Sequence, residues 1–364
     1  MSKTFRSKAR EELLSLGVYA PIDPVEVTAA HLGISEEELV KLDANESPFG
    51  TPEEAMEAIA RYPYHHIYPD PQQRHLRQAL AQFLGEDEGM ILAASGADEL
   101  IDMLCRVLLL PENVMVVAPP TFAMYGISAC LAGARVVEVQ RGEDFRPDIE
   151  AILKAIKKWR PKLLFLASPN NPTGDWISDE ELLSLLGADV FLVLDEAYVE
   201  FSGRPSRASW VKEHENLAVL RTMSKCAGLA GLRLGYGVFP AWLMPYLWRV
   251  KPPYNVNSAA QAAALAILDH WEKTEERINR LIASRQSLFS ALLSFDGIKP
   301  LPSQANFILC KTEIEAAALK SSLARQGVLV RTYDNPRLAR HFRVSVGREQ
   351  DHARVLSALR QALA

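Results

Sequence analysis

Short apolar segments alternate with longer amphipathic segments between about residues 51 and 268 of the chain. The apolar segments are rich in valine, isoleucine and leucine without regular polar alternation, which is typical of strands covered on both faces. The longer segments between them have helical periodicity. This order predicts an α/β fold with a large, doubly wound, mostly parallel sheet, whose strands we expect at residues 114–118, 135–139, 162–167, 190–194, 217–220 and 234–239.

Two of the intervening segments carry clear signals for the ends of helices. Residues 97–109 are predicted to form a helix that Pro111 closes. Residues 149–158 are predicted to form another, and Lys157 and Lys158 suit the negative end of its dipole. In open α/β sheets ligands bind beyond the carboxyl ends of the strands. The loops that follow the strands are therefore the places where we expect the functional residues.

The pattern changes on both sides of this region, which predicts three parts. Residues 1–45 read as an N-terminal arm with short helices at 8–16 and 24–32. Residues 46–254 form the large domain. Residues 255–364 are predicted to form a smaller α+β domain with an alanine-rich helical segment at 258–293, strands at 306–310, 328–331 and 342–346, and helices at 314–326 and 350–363. We expect the arm to pack with the small domain over the ligand edge of the sheet.

Composition and charge exclude several classes of protein. The 364 residues include 40 Lys+Arg and 45 Asp+Glu, a formal net charge of −5, so nucleic acid is not an expected partner. No apolar stretch approaches the ~18–20 residues of a membrane helix, and no membrane association is expected. The four cysteines have neither metal-binding spacing nor the number of a disulfide scaffold. We expect a cytoplasmic (or stromal) protein without a metal, although the basic N-terminus could be a targeting remnant.

Two loops carry residues that suit an anionic or polar ligand. Gly96, Ala97 and Asp98 open a predicted helix, where free N–H groups and the helix dipole favour an anion. An ordinary glycine loop would look the same. Asn170 and Asn171 follow the strand at 162–167 and place amide groups at its carboxyl end, although a plain turn is the alternative.

An acidic strand end and a lysine loop add further candidates. The strand at 190–194 is followed by Asp195, with Tyr198 three residues later. A nucleotide hydrolase would hold Mg²⁺ there, but the chain has no GxxxxGK[ST] phosphate loop. Lys225 is either half of a Ser-Lys nucleophile pair or a lysine that forms a Schiff base. In the second interpretation, its neighbours hold a cofactor phosphate: Thr222, Ser224 and Arg233.

The combination of these candidates favours pyridoxal 5′-phosphate. Its ring nitrogen requires a carboxylate, its ring oxygen requires donors, its aldehyde requires a lysine, and its phosphate requires N–H, hydroxyl and guanidinium donors. Each of these groups is present in a predicted strand-end loop.

The chain resembles the fold-type I pyridoxal-phosphate aminotransferases, and within them the histidinol-phosphate aminotransferase family. The lysine segment and the Asn-Pro-Thr-Gly turn at 171–174 are typical of the superfamily. The likeness covers nearly the whole chain and includes segments 41–50, 67–70, 96–100, 119–125, 253–256, 303–307, 327–331 and 342–347. The Asn-Glu-Ser-Pro segment at 45–48 and the Val-Arg and Arg-Val-Ser-Val-Gly segments at 330–331 and 343–347 narrow it toward the histidinol-phosphate branch. It implies transamination of L-histidinol phosphate with 2-oxoglutarate, giving imidazole-acetol phosphate and L-glutamate.

The resemblance also implies a role for each matching residue. Lys225 is the Schiff-base lysine and moves the substrate proton, and Asp195 contacts the ring nitrogen. Asn171 and Tyr198 donate to the ring oxygen, and Phe122 stacks on the ring. The phosphate is held by Ala97, Asp98, Thr222, Ser224 and Arg233, and by Tyr68 of a neighbouring subunit, which implies a homodimer. The substrate is bound by Tyr19, Asn45, Tyr254, Arg331 and Arg343.

Two of these residues are expected to serve two different anions. Glutamate brings an α-carboxylate, whereas histidinol phosphate brings a phosphate ester. A guanidinium suits both because it offers a planar fork of donors. We therefore expect Arg343 to bind the carboxylate and to share the phosphate with Arg331.

Three alternatives remain beside this interpretation. An aromatic or broad-specificity aminotransferase would use the same scaffold, and so would a threonine-phosphate decarboxylase, which also needs basic residues for its substrate. A non-enzymatic regulator would need an added DNA-binding domain, for which the chain has neither the length nor a basic helix.

Overall fold

The structure, a computed structural model, describes Arg10, Leu13, Leu14 and residues 22–363. The helices of this part are α1 (Val25–Leu32), α2 (Glu53–Arg61), α3 (Arg74–Leu84), α4 (Ala97–Leu108), α5 (Met124–Leu131), α6 (Ile149–Trp159), α7 (Asp179–Leu186), α8 (Met244–Val250), α9 (Ser258–Asp269), α10 (Trp271–Leu292), α11 (Ala316–Ala324) and α12 (Glu349–Leu363). The strands are β1 (Val40–Lys41), β2 (Ile91–Ser95), β3 (Val114–Val117), β4 (Arg135–Glu138), β5 (Leu163–Ala167), β6 (Phe191–Asp195), β7 (Leu217–Thr222), β8 (Leu234–Val238), β9 (Ile298–Pro300), β10 (Phe307–Thr312), β11 (Val328–Leu329) and β12 (His341–Ser345).

The largest sheet has seven strands in the order β2-β8-β7-β6-β5-β3-β4. All neighbours are parallel except β8, which runs antiparallel to both β2 and β7. The carboxyl ends of β2, β5, β6 and β7 therefore meet at one edge, as do the loops that follow them. This α/β arrangement confirms the predicted fold class.

Helices cover both faces of this sheet because successive strand residues point into different hydrophobic cores. Leu164, Leu192 and Val219 belong to one core, whereas Phe165 and Val193 belong to the other. Every residue of β5, β6 and β7 is buried. This explains why these strands appear in the sequence as continuous apolar runs.

The C-terminal part forms a separate three-stranded antiparallel sheet in the order β12-β10-β9. Its own core includes Ile308, Phe342 and Leu359. Strand β1 pairs in parallel with β11 and so ties residues 40–41 to this part of the molecule. The chain that follows β1 enters the space between the two sheets.

The structure differs from the predicted elements at one long helix and at strands β1, β2 and β9, which were not predicted. The segment at 258–293 forms two helices, because the backbone of His270 leaves the helical conformation with φ −127° and ψ 39°. No glycine or proline marks this break. Strand β2 was not predicted, since its alanine-rich sequence gives a weak strand signal. The predicted helix at 8–16 falls mostly outside the described residues.

None of the helices in the described part of the chain combines the length and the apolar character needed to span a membrane.

Candidate active site

A cavity of about 800 Å³ lies at the carboxyl edge of the large sheet. It is bounded by the ends of β5, β6 and β7 through Ala167, Asp195 and Thr222. The cavity brings together most of the residues predicted from the sequence: Asn45, Ala97, Asp98, Phe122, Asn171, Asp195, Tyr198, Thr222, Ser224, Lys225, Arg233, Arg331 and Arg343.

Lys225 follows β7 and directs its amine toward the chain that leaves β1. Its Nζ donates a hydrogen bond to the Ala44 carbonyl oxygen at 3.1 Å. Burial, with the positive charge of Arg343 acting in the same direction, lowers the pKa of Lys225 to about 8. About a tenth of the amine is therefore neutral at pH 7, far more than for an exposed lysine, and the neutral amine is the form that can attack an aldehyde or accept a proton.

Asp195 ends β6 as a buried carboxylate with two donors. Its Oδ2 accepts from the Tyr125 hydroxyl at 2.6 Å and its Oδ1 accepts from the Ala197 backbone N–H at 2.9 Å. Burial raises the pKa of Asp195, and both hydrogen bonds oppose that rise. The carboxylate thus suits a cationic ring nitrogen, which would supply the compensating charge.

Tyr125 is a site residue to which sequence reasoning gave no role. It lies in α5, its ring stacks on Phe165 at 4.9 Å, and burial raises the pKa of its phenol well above the ordinary value. Tyr125 is thus a neutral donor to Asp195. Its place three residues after Phe122, in the loop and helix that follow β3, is the signal that could have found it.

The loop between β2 and α4 forms an anion cradle together with the residues around Lys225. Gly96 has φ +80°, and a Cβ atom there would lie 2.5 Å from Arg233 Nη2. Arg233 Nη2 also contacts Asp98 Oδ2 at 2.9 Å. Thr222 Oγ1 accepts from the Ser224 backbone N–H at 3.1 Å. The N-terminus of α4, two hydroxyls and a guanidinium thus converge, as a phosphate requires.

Arg343 lines the cavity from the small sheet, on β12. Its Nη1 donates to Asn171 Oδ1 and its Nη2 to the Asp43 carbonyl oxygen, both at 2.6 Å. Its buried Nε has no hydrogen-bond partner among the described residues. Arg331 lines the same cavity and pairs with Arg343 through the backbone. The two arginines therefore offer a second anion site.

Tyr198 and Asn45 contact each other inside the cavity wall. Asn45 Nδ2 donates to the Tyr198 hydroxyl oxygen at 3.1 Å. Tyr198 is buried, which raises the pKa of its phenol to about 12. Asn45 is only 1% exposed, and its side chain is engaged by Tyr198 and Ser345.

Three predicted residues are not placed in this cavity. Tyr68 and Tyr254 stack on each other with ring centroids 4.5 Å apart, and they are 78% and 41% exposed. Tyr19 lies outside the described residues. The two described tyrosines form an exposed aromatic pair on the surface.

A buried polar network under the Asn171 loop was also missed by sequence reasoning. The Arg141 guanidinium binds both oxygens of Asp175, at 3.0 and 2.8 Å. Asn170 Nδ2 donates to Thr173 Oγ1 at 2.7 Å, and Thr121 Oγ1 donates to Asn170 Oδ1 at 2.7 Å. This network joins the loop of Asn171 to the loop that carries Phe122.

Comparison with known proteins identifies the family. Residues 37–359 match the model of the family described as aminotransferase class I and II. The chain is 47% identical over 353 residues to the chloroplastic histidinol-phosphate aminotransferase of Nicotiana plumbaginifolia, covering 96% of this chain and 86% of that protein. It is 42% identical over 361 residues to the histidinol-phosphate aminotransferase of Roseiflexus castenholzii, covering 97% of each chain.

A solved structure agrees with these matches. The histidinol-phosphate aminotransferase of Sinorhizobium meliloti, crystallised in complex with pyridoxal 5′-phosphate, superposes with a TM-score of 0.89 at 26% identity and covers 98% of both chains. The chain therefore belongs to the aminotransferase class I and II family, and it is similar over nearly its whole length to histidinol-phosphate aminotransferases of plants and bacteria.

Proposed function

We propose that the protein is a pyridoxal-phosphate-dependent aminotransferase that converts L-histidinol phosphate and 2-oxoglutarate into imidazole-acetol phosphate and L-glutamate. One observation supports this specific reaction in addition to the family: the same cavity holds two groups of residues that can each bind an anion. Arg233 and the N-terminus of α4 form one, and Arg343 with Arg331 forms the other. One site serves the phosphate of the cofactor, which leaves the other for an anionic substrate.

The residues present fit the cofactor. Its phosphate would be held by Ala97, Asp98, Thr222, Ser224 and Arg233. Asp195 would face its ring nitrogen, Asn171 and Tyr198 its ring oxygen, and Phe122 one side of its ring. When bound, pyridoxal phosphate supplies an aldehyde that captures the substrate amine and a ring that takes up the electron pair released at Cα.

Lys225 supplies the proton acceptor. It lines the cavity and has a pKa of about 8, so its amine can exist both neutral and protonated at physiological pH. It can therefore take a proton from the substrate carbon and return it to another atom. The Ala44 carbonyl oxygen, 3.1 Å from Nζ, orients the amine.

Asp195 keeps the ring nitrogen protonated. Its two hydrogen bonds favour the charged form of the carboxylate against the effect of burial, and a cationic partner favours that form further. The Tyr125 phenol cannot replace the cation because a phenol carries no positive charge, and its raised pKa keeps it a neutral donor.

Arg343 and Arg331 bind the substrate anions in turn. Arg343 is already held in place by Asn171 and Asp43, so little side-chain entropy remains to be lost when a carboxylate or a phosphate binds. A fork of N–H donors accommodates both anions, which a two-step transfer with two different substrates requires.

A substrate panel tests this function. Purified protein with pyridoxal phosphate and 2-oxoglutarate is given histidinol phosphate, phenylalanine or tyrosine under identical conditions, and glutamate is measured. We expect histidinol phosphate to be preferred by at least about a hundredfold in kcat/KM. Equal rates would instead indicate an aromatic or broad-specificity aminotransferase. Release of CO₂ from threonine phosphate without keto product would indicate a decarboxylase.

The assembly is also part of the proposal. The exposed Tyr68 and Tyr254 pair would be covered by a second copy of this chain, whose cofactor phosphate Tyr68 would reach. Residues 46–254 and 255–364 would act as large and small domains, with residues 1–45 packing on the latter. A location in the cytoplasm or stroma stays a prediction.

A further inference from the structure

Asn45 is buried between the two sheets in a conformation that few residues adopt. It has φ +55°, in the left-handed region where asparagine and aspartate are tolerated better than other non-glycine residues. It follows β1, which is fastened to β11. The position is therefore fixed by the backbone on one side and by its hydrogen bonds on the other.

Every polar group of Asn45 has a partner. Its backbone N–H donates to Ser345 Oγ at 2.9 Å, and its carbonyl oxygen accepts from Asn306 Nδ2 at 3.0 Å. Its Oδ1 accepts from Ser345 Oγ at 2.9 Å, and its Nδ2 donates to the Tyr198 hydroxyl at 3.1 Å. Three of these bonds reach the three-stranded sheet or the residue before it, and the fourth reaches the loop after β6 in the large sheet.

Ser345 decides which end of the amide faces Tyr198. Its Oγ accepts from the Asn45 N–H and donates its own proton to Asn45 Oδ1. With the amide oxygen held by Ser345, the amide nitrogen faces Tyr198 and donates to the Tyr198 hydroxyl oxygen. A phenol that accepts from one neighbour keeps its own proton for another acceptor. Tyr198 lines the cavity, so that proton is available there.

We propose that Asn45 is a positioning residue, oriented by Ser345, that directs the Tyr198 hydroxyl proton into the cavity and toward the ring oxygen of the bound cofactor. The inference rests on the proposed function, since it concerns how that cofactor is held. In this proposal Asn45 acts by orienting the Tyr198 hydroxyl, whereas the resemblance implied that Asn45 binds the substrate directly.

The charged and titratable groups around Tyr198 do not replace Asn45. Arg343 on β12, Asp195 on β6 and Tyr333 are the others that act on its pKa. Asp195 already accepts from Tyr125 and Ala197, and Arg343 donates to Asn171 and Asp43. Asn45 is the hydrogen-bond donor that the structure places on the Tyr198 hydroxyl.

Asn45→Asp is the sharpest test. Aspartate has the same shape and tolerates the same backbone conformation, but a carboxylate cannot donate and would take the Tyr198 proton for itself. The protein is loaded with pyridoxal phosphate and the absorbance of the bound cofactor is followed as the pH is changed. The readout is the pH at the midpoint of this absorbance change. The Tyr198 hydroxyl, as a donor to the ring oxygen, would stabilise the deprotonated form of the bound cofactor. Loss of this donor should raise the midpoint by about one pH unit, a tenfold change in the proton affinity of the cofactor.

A double variant that combines Asn45→Asp with Tyr198→Phe separates the effect of the lost hydrogen bond from the effect of the added negative charge. Any shift that the negative charge of Asn45→Asp causes by itself, without the Tyr198 hydroxyl, would persist when Tyr198 is replaced by phenylalanine. We expect Tyr198→Phe to raise the midpoint and Asn45→Asp to add little in that background. An equal shift of Asn45→Asp in both backgrounds overturns the proposal, and so does no shift in the single variant.

Ser345→Ala gives a second, milder test should Asn45→Asp fail to fold. It removes the bond that orients the amide and should raise the midpoint in the same direction by a smaller amount. A lower unfolding temperature with an unmoved midpoint would mean a merely structural role and overturns the inference. If the unaltered protein shows no absorbance of bound cofactor, the proposed function fails first, and the two failures are thereby distinguished.

Discussion

The Lys225 amine is buried, and two nearby guanidinium groups, those of Arg343 and Arg233, affect its pKa. Burial, Arg343 and Arg233 lower its pKa, while Glu46 and Asp98 oppose them, and the value is about 8. An exposed lysine would titrate about two pH units higher. The fraction of neutral amine, the form that can act as a nucleophile, therefore increases as the pH rises through this value.

Lys225→Ala should abolish turnover. It should also abolish the covalent attachment of pyridoxal phosphate to the protein, which borohydride reduction makes stable enough to detect. In the unaltered, cofactor-free protein, the capture rate should rise with pH and level off above about pH 8, because the amine is then neutral. Stopped-flow absorbance measures the rate, and peptide mass locates the attached cofactor. Lys251→Ala is the control, since this lysine lies outside the cavity and its pKa is also lowered by burial. Cofactor trapped on the Lys225→Ala protein would contradict the assignment.

Arg343→Lys should weaken both substrates. An ammonium group cannot hold Asn171 and the Asp43 carbonyl while presenting a fork to an anion. KM for glutamate and for histidinol phosphate should each rise about tenfold or more, the scale of one charge-assisted hydrogen bond.

The control for Arg343→Lys is the same change at Arg285. That arginine is also buried and binds two backbone carbonyls, those of Phe201 and Ala305, but it does not line the cavity. Arg285→Lys should lower the unfolding temperature and leave both KM values unchanged. If the two variants behaved alike, the effect at position 343 would be one of folding and not of binding.

At the scale of elements, the sequence predicts the strands of the large sheet and the polar loops at their carboxyl ends best. Continuous apolar runs identify β3 to β8, and the polar residues after them identify the loops of Asn171, Asp195 and Lys225. The bond from Asn45 to Tyr198 spans 153 residues and that from Asn45 to Ser345 spans 300. No local pattern specifies such contacts, because they arise only when the chain after β1 packs between the sheets. The break at His270 was missed for the opposite reason, since the local pattern there stays helical.

Gly96→Ala should damage the anion cradle at the start of α4. The added methyl group would meet the Arg233 guanidinium, and the φ of +80° strains any residue with a Cβ. Affinity of the cofactor-free protein for pyridoxal phosphate should fall about tenfold or more, equivalent to ~1.4 kcal/mol, as measured by fluorescence titration.

Gly203→Ala separates backbone strain from contact. Gly203 has φ +67° and nothing within 4 Å of an added Cβ. Both variants should lose stability because of the positive φ, about 1–2 kcal/mol at Gly203 and about 1–3 kcal/mol at Gly96, whose φ of 80° and ψ of 163° are nearly confined to glycine. Only Gly96→Ala should lose affinity for the cofactor. Equal affinities would show that the glycine serves the turn and not the cradle.

At the scale of the whole molecule, the site is assembled across the space between the two sheets. The carbonyl oxygens of Asp43 and Ala44 accept from Arg343 and Lys225, and Asn45 reaches Tyr198. Three consecutive residues thus contact the small sheet, the lysine loop and the loop after β6. Displacing this segment would disturb Lys225, Arg343 and Tyr198 together, which makes the relative position of the two sheets part of the candidate site.

In the proposed assembly, the exposed Tyr68 reaches the site of a second copy of the chain. If each active site takes Lys225 from one subunit and Tyr68 from its partner, then Lys225→Ala and Tyr68→Ala chains should complement each other. In a mixed dimer one site carries both lesions and the other carries neither. Co-expression of the two chains with different tags and isolation of the doubly tagged dimer should give about half the activity of the unaltered dimer, since one of its two sites is intact. A doubly tagged dimer no more active than the mean of the two single-variant proteins would place Tyr68 and Lys225 in the same subunit's site, because complementation requires that they come from different chains.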